Sequence, residues 1–310
     1  AASDVYKRQL FGLLASAVGT PLVQSNTIAM SVNDAVLLFL PKAEQKTVCI
    51  IAGAATAALV GIVILGGIQR IGKASEIIVP FMAIGYIAIC IIVLSRFGSR
   101  ILPAFRDIFS GALGIKQAVG GAAGFGAARA LRIGMARGVY SNEAGVGSAP
   151  MAHACANTND PVKQGMYGIF EVFADTIVMC TMTALVVLAS GIPLQAGGEV
   201  SGTSIALRAF STVLPERTTG IFLAVSMLLF AYTSLLGWAV YGMQCAKYLF
   251  GKRAQLPFCI LYTVLTFAGA LMKVDFVWTA GETLNYLMAA PNMLALLVLN
   301  REVRRETAFA

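Results

Sequence analysis

The chain has 310 residues, of which 58% are hydrophobic and only 12% charged, and its formal net charge is +8. Soluble domains carry about a quarter charged residues, so this composition excludes an ordinary soluble protein. Charge-free stretches recur at or near the roughly 20 residues that a bilayer core requires. The sequence therefore predicts an all-α polytopic membrane protein, with apolar stretches at 9–33, 47–69, 77–95, 176–198, 218–246, 254–272 and 283–300.

The positive charge does not point to nucleic acid, because no basic cluster is interleaved with aromatic residues. Lysine and arginine instead gather in the loops and at the ends of membrane helices. The six cysteines lie in or beside apolar stretches without a C-x-x-C pair, which favours small buried hydrophobes over a disulfide or metal framework. His153 is the single histidine and cannot form a histidine-based metal site alone. No cofactor is expected.

The beginning of the chain divides into a lead-in and a first span. Residues 1–9 look like a translated sequencing adapter and are expected to be non-native, with a native amphipathic lead-in as the alternative. The first span, at 10–38, carries a polar cluster from Gln24 to Thr27. Such a cluster in a membrane helix indicates either ligand contact, for which Gln24 is the candidate, or hydrogen bonds between helices.

The middle of the chain predicts two spans and a connector before its most unusual stretch. Residues 69–76 are expected to be a short basic loop, and Pro80 is expected in the first turn of the span at 77–95. Residues 96–121 are interpreted as a connector. Further spans are expected at 164–191, 218–248, 254–272 and 276–300, with a polar loop at 192–217 that has room for a short helix.

The stretch 138–150 is polar within an apolar region. It reads Gly-Val-Tyr-Ser-Asn-Glu-Ala-Gly-Val-Gly-Ser-Ala-Pro. Gly145 and Gly147 weaken a helix, while Pro150 suits a first turn with Ser148 before it as N-cap. We predict two half-helices, the second reaching residue 159, that meet at an unwound segment near the membrane midplane, as in transporter binding sites. The alternative is a plain loop between two ordinary helices.

Other polar residues in the apolar stretches are candidates for function. Glu171 and Asp175 lie one turn apart, and intramembrane acids are functional hypotheses by default, although bracing of neighbouring helices near the interface fits equally well. The adjacent hydroxyls of Thr233 and Ser234 could supply oxygen atoms to a hard cation, or bond back to their own helix. Basic residues concentrate in alternate short loops and in the tail at 301–310, which places the C-terminus in the cytoplasm.

The stretch 138–153 closely resembles the signature of the alanine/glycine:cation symporters, sodium-coupled transporters of the amino-acid–polyamine–cation superfamily. Similar matches occur at 23–29, 64–71, 175–185, 236–238 and 288–295. The resemblance implies a leucine-transporter-like fold of two inverted five-helix repeats, with core helices one and six broken around the substrate. It also implies that the chain begins at core helix three, as about eight helices at 10–300 without the first two.

The resemblance, combined with the residue pattern, implies symport of alanine or glycine across the plasma membrane with sodium as the coupling ion. Gln24 and Asn142 would bond polar groups of the amino acid, and Tyr140 and Trp238 would wall its pocket. The unwound amides and the positive end of the second half-helix would meet its carboxylate. The full predicted substrate set is Gln24, Tyr140, Ser141, Asn142, Gly145, Ser148 and Trp238.

The coupling ion and the remaining candidates follow from the same reading. Ser234, with Thr233 nearby, would give oxygen to sodium, whose other ligands would come from the first core helix. Glu143 is expected to stay within the protein, accepting bonds from backbone amides or pairing with Arg137, and Asp175 has a structural or gating role. The chain is expected not to be an enzyme. The alternatives are a non-transporting membrane scaffold and a membrane enzyme using Glu143 and His153.

Overall fold

The computed structural model describes residues 9–112, 123–193 and 202–308, and these residues form helices and turns with no strand. The prediction of an all-α polytopic membrane protein is confirmed. The expected non-native lead-in falls almost wholly on residues 1–8, which lie outside the described residues. The described part begins with an α-helical segment at 9–14 and contains twelve further α-helices: α1 Thr20–Leu37, α2 Gln45–Ile64, α3 Ile68–Ser95, α4 Gly98–Ala112, α5 Ala123–Asn142, α6 Ala149–His153, α7 Pro161–Val172, α8 Thr181–Ser190, α9 Gly202–Phe210, α10 Glu216–Phe250, α11 Gln255–Gly269 and α12 Val274–Ala308.

Two π-helical turns extend these helices. Ala15–Gly19 leads directly into α1, and Phe173–Cys180 joins α7 to α8. Pro161–Ser190 therefore forms one helical span of 30 residues, and it contains the candidate acid Asp175 within its π turn. Such turns inside helices occur frequently at functional sites.

Five helical stretches of the described chain are long and apolar enough to cross a membrane: Gln45–Ile64, Ile68–Ser95, Pro161–Ser190, Glu216–Phe250 and Val274–Arg305. The predicted span at 254–272 corresponds to α11, which has 15 residues and is therefore short for a bilayer core. The final span continues as a helix through most of the predicted tail, because residues 301–308 belong to α12.

The region around residues 64–80 differs from the prediction. Helix α2 ends at Ile64, where Gly66 and Gly67 follow and Gly67 adopts a φ of 79°. The expected basic loop at 69–76 is instead the beginning of α3, since its charged residues are good helix formers. Pro80 consequently lies inside α3, not in a first turn, so the prediction for this proline was wrong.

The two long connectors are also partly helical. Residues 96–121, predicted as a connector, contain the helix α4. Residues 192–217 hold the short helix α9, so the loop with room for a short helix is confirmed for this part. Arg100, on α4, donates hydrogen bonds of 3.4 and 3.5 Å to the carbonyl oxygens of Ala189 and Ser190 at the end of α8.

The chain divides into two compact units. The first comprises the described parts of Ala1–Met82, Glu143–Phe170 and Ala224–Ala310, and the second those of Ala83–Asn142 and Glu171–Leu223. In the first unit α1, α2 and α11 pack on one another, while α12 packs against α1 and the π turn before it. In the second unit α8 packs against α4 and α9, and the rings of Tyr86, Phe210 and Phe222 lie about 6 Å apart.

Helices α1 and α11 approach closely because Gly269 has no side chain. A Cβ atom at Gly269 would lie 2.5 Å from both Leu22 Cα and Ser25 Oγ. The Asn26 amide, one residue further along α1, donates hydrogen bonds to the carbonyl oxygens of Gly269 and Met272 over 3.0 and 2.9 Å. Asn26 thus bonds one carbonyl at the end of α11 and one just beyond it, where the regular helical donors run out.

We expect Gly269→Ala to destabilise the protein by about 1–3 kcal/mol, because the added methyl group meets the backbone of Leu22. Gly72→Ala is the matched control, since a Cβ atom there meets nothing within 4 Å and alanine favours a helix. The measurement is the thermal midpoint of each purified variant in detergent. Equal midpoints for the two variants would contradict the close packing of α1 on α11.

Candidate functional site

The predicted break in the helix is present. Helix α5 ends at Asn142, residues 143–148 are non-helical, and α6 begins at Ala149 with Pro150 in its first turn. The unwound segment is narrower than the predicted 138–150, because residues 138–142 still belong to α5. Its second flank is also shorter than predicted: α6 has five residues and ends at His153, ahead of the turn-forming run Asn-Thr-Asn-Asp-Pro at 157–161.

The backbone of the unwound segment turns through left-handed conformations. Gly145 and Gly147 have φ values of 77° and 95°, and Glu143 has a φ of 54°. A positive φ is ordinary for glycine but costs energy for glutamate. Among the described residues Glu143 is the only non-glycine residue with a positive φ, which marks it as a position where side-chain contacts hold the backbone.

Glu143 forms the centre of a small hydrogen-bond network in the first unit. The Ser148 hydroxyl donates to Glu143 Oε2, and the Trp238 indole N–H, on α10, donates to Glu143 Oε1 over 2.5 Å. Ser148 stands at the N-cap position of α6 as predicted, but its hydroxyl makes no cap bond and serves Glu143 instead. The carboxylate thus ties the unwound segment to α10.

The peptide bond between Gly145 and Val146 is held at both ends. The Val146 N–H donates to the Glu143 carbonyl over 3.1 Å, and the Gly145 carbonyl accepts a bond of 3.0 Å from the amide of Asn292 on α12. In contrast, the N–H groups of the next two residues, Gly147 and Ser148, donate to no acceptor in the part of the chain that the structure describes. Both residues are buried.

The two predicted sodium ligands on α10 differ in their hydrogen bonds. The Thr233 hydroxyl bonds back to the carbonyl oxygens of Leu229 and Phe230, each over 3.0 Å. Ser234 is half-buried, and its hydroxyl has no hydrogen-bond partner among the described residues. Ser234 and Trp238 are one helical turn apart and share a face of α10, so the available hydroxyl lies on the face that meets Glu143.

Five of the predicted residues lie in the second unit: Arg137, Tyr140, Ser141, Asn142 and Asp175. Ser141, in the last turn of α5, donates a hydrogen bond of 2.8 Å to Asp175, and Thr176 approaches the same carboxylate oxygen at 3.4 Å. Tyr140 and Asn142 are half-buried. Arg137 is exposed. The structure therefore brings Ser141 and Asp175 together, as it does Glu143, Ser148 and Trp238 in the first unit.

Gln24 is half-buried on α1, and its side chain makes no hydrogen bond within the described ranges. Asn26, two residues away, acts between helices through its bonds to the end of α11. Of the two interpretations of the polar cluster, hydrogen bonding between helices is therefore the one observed for Asn26. Ligand contact by Gln24 stays a prediction.

Sequence reasoning did not single out Asn292. Its side chain is 4% exposed and contacts the unwound segment, 147 positions away in the sequence. The available signal was a polar residue directly after Pro291 within an apolar helix. A buried asparagine needs a partner, but the sequence does not say which one.

An all-helical membrane protein whose broken helix is bonded to its neighbours has the arrangement with which secondary transporters build their binding sites. The sequence model of the sodium:alanine symporter family matches residues 8–308. The chain belongs to this family.

Three curated relatives show the extent of the similarity. The sodium/alanine symporter AgcS of Methanococcus maripaludis is 40% identical over 83% of this chain and 56% of its own length. An uncharacterized transporter of Haemophilus influenzae is 38% identical over 80% of this chain and 54% of its own. The probable sodium/glutamine symporter GlnT of Bacillus subtilis is 35% identical over 91% of this chain and 56% of its own length. The chain thus spans a little over half the length of these relatives.

The family consists of transporters, which excludes the alternative of a membrane enzyme that uses Glu143 and His153. His153 instead lies 2.7 Å from the side chain of Gln164 through its Nδ1 atom. The chain is an integral membrane protein of a transporter family, not an enzyme.

We expect Ser148→Ala to lower stability by about 1–3 kcal/mol, because Glu143 loses a donor in a buried position. Ser95→Ala is the control, since Ser95 is exposed and bonds only to a carbonyl of its own helix turn. Thermal midpoints in detergent compare the two. If Ser148→Ala behaves like Ser95→Ala, the hydroxyl does not support the carboxylate.

Proposed function

We propose that the protein is a sodium-coupled symporter of a small neutral amino acid, alanine or glycine. The observation that carries the proposal is the unwound segment at 143–148, where the buried amides of Gly147 and Ser148 have no acceptor among the described residues. Buried backbone N–H groups are nearly always paired. A substrate carboxylate is the acceptor that these two amides would take.

The amides, rather than a helix dipole, provide the proposed carboxylate site. Helix α6 has only five residues, so the positive end expected of a long half-helix contributes little. Gly145 shapes the turn that presents the amides, because its φ of 77° suits glycine. Gln24, Tyr140, Ser141 and Asn142 remain the proposed contacts for the other polar groups and the walls of the pocket.

The size of the substrate is proposed from Trp238. This side chain is 7% exposed, its N–H is bonded to Glu143, and the ring of Tyr241 lies 5.4 Å away at a steep angle. A bulky ring fixed beside the unwound segment would favour a substrate with a small side chain. The name of the Methanococcus relative, a sodium/alanine symporter, agrees with a small substrate, whereas the name of the Bacillus relative specifies glutamine.

The coupling ion is proposed to bind at Ser234. Its half-buried hydroxyl has no partner in the described part of the chain, so an oxygen lone pair is available to a hard cation. The Thr233 hydroxyl donates to its own helix and can still accept a cation through its oxygen, but it is less free to turn. We therefore assign the main contribution to Ser234 and a supporting one to Thr233.

The protein is proposed to lie in the plasma membrane. Its proposed orientation places the C-terminus in the cytoplasm. Exposed basic residues support it, at the short helix Lys252–Ala254 and on the last turns of α12, and cytoplasmic segments favour such residues. The relevant side chains are Lys252, Arg253, Arg301, Arg304 and Arg305.

The function is tested with the protein made from its complete gene and reconstituted in proteoliposomes. We expect an inward sodium gradient to drive accumulation of labelled alanine or glycine, and collapse of the gradient by an ionophore to abolish it. Unlabelled alanine, glycine, serine and glutamine added in competition rank the substrates. Absence of gradient-driven uptake of all four would overturn the proposal and favour a scaffold.

We expect Ser234→Ala to weaken the apparent sodium affinity about tenfold, the cost of one neutral ligand at 1–2 kcal/mol, with a smaller effect on alanine affinity. Ser226→Ala is the matched control, because Ser226 lies on the same helix eight positions earlier. Sodium activation curves of uptake, corrected for the amount of protein in the membrane, give the comparison. Identical curves for the two variants would make the Ser234 hydroxyl structural.

A further inference from the structure

We propose that Asn292 is a positioning residue, which holds the unwound segment in the geometry that binds substrate by fixing the carbonyl of Gly145. The inference rests on the proposed function for the identity of the bound molecule. The positioning itself concerns only contacts within the first unit.

A hydrogen bond joins Asn292 to the unwound segment. Asn292 Nδ2 donates to the Gly145 carbonyl over 3.0 Å, and the asparagine is 4% exposed. A carbonyl in a non-helical turn has no helical donor, and leaving it unpaired in a buried position is costly. The Asn292 amide therefore supplies a bond that the unwound segment cannot provide for itself.

The turn also fits closely around the asparagine side chain. A Cβ atom at Gly147 would lie 2.7 Å from both Cγ and Oδ1 of Asn292, and Gly147 also has a φ of 95°. Gly145 faces Met293 at 3.4 Å in the same way. The two glycines thus let the turn close onto one short stretch of α12, and a larger residue at either position would open it.

The hydrogen-bonded peptide between Gly145 and Val146 directly precedes the two amides without an acceptor. Asn292 fixes the carbonyl and Glu143 fixes the N–H of the peptide between Gly145 and Val146. The next two amides, of Gly147 and Ser148, point where that peptide directs them, since two dihedral angles per residue set the path of the chain. Asn292 consequently sets the direction of the proposed carboxylate donors without touching the substrate.

The variant Asn292→Asp tests this with little change in shape. An ionised carboxylate cannot donate to the Gly145 carbonyl and repels it, whereas a protonated carboxyl can donate through its O–H. The bond is therefore restored when acidification protonates the carboxyl and lost when the carboxyl ionises as the pH rises. Glu143 is the titratable group in the same segment and is present in every variant, so each result is expressed relative to the unsubstituted protein at the same pH.

The control is Asn285→Asp on the same helix. Asn285 is 3% exposed, lies two turns earlier, and its Oδ1 atom has no hydrogen-bond partner. A general effect of a buried charge on α12 would appear in both variants. An effect through the Gly145 carbonyl would appear in Asn292→Asp alone.

The first measurement uses purified protein without substrate. Hydrogen–deuterium exchange of peptides covering 143–153 is compared at pH 5.5 and pH 8. We expect exchange of this segment in Asn292→Asp to exceed that of the unsubstituted protein about tenfold at pH 8, the loss of one buried hydrogen bond, and to match it at pH 5.5. Equal exchange at both pH values, or the same change in Asn285→Asp, would overturn the positioning role.

The second measurement is the apparent affinity for alanine in proteoliposomes at the same two pH values. We expect a KM about tenfold higher for Asn292→Asp at pH 8, with kcat nearly unchanged, and recovery at pH 5.5. A loosened turn with unchanged KM would overturn the link to the substrate. If the unsubstituted protein takes up no amino acid while the exchange result holds, the proposed function fails and the positioning of the segment stands.

Discussion

The structure depends on one constraint: an unwound piece of chain inside an apolar protein needs partners for its backbone and side-chain polar groups. Residues 143–148 meet it in part, through one bond within the segment and the side chains of Trp238 and Asn292, while the amides of Gly147 and Ser148 have no acceptor among the described residues. Glu143 accepts from Ser148 and Trp238, and Asn292 donates to Gly145. Because Trp238 lies on α10 and Asn292 on α12, the packing of both helices is part of the site.

The sequence was sufficient for the fold class, for the position of the break and for most apolar spans, since these depend on local composition. Glycine, proline and polar residues in an apolar context do not suit a helix. Boundaries were less predictable. Residues 138–142 remain helical although they adjoin the glycine-rich turn, and 69–76 joins α3 because charged residues form helices readily at the ends of spans.

The partners of the site residues could not be predicted, because they come from distant parts of the chain. Glu143 and Trp238 are 95 positions apart, and Gly145 and Asn292 are 147 apart. Alternatives left open for neighbouring residues also resolve differently. Thr233 bonds to its own helix while Ser234 has no described partner, since residues adjacent in a helix point about 100° apart.

Pro80 has a consequence for the stiffness of α3. A proline inside a helix cannot donate to the carbonyl four positions earlier, which here belongs to Glu76, and the helix bends there at lower cost than elsewhere. The chain leaves the first compact unit for the second between Met82 and Ala83, only two residues further on. The backbone hydrogen bond that α3 lacks therefore lies close to the point where the chain passes from the first unit to the second. A residue with a backbone N–H at position 80 would restore that hydrogen bond and stiffen α3 at this point.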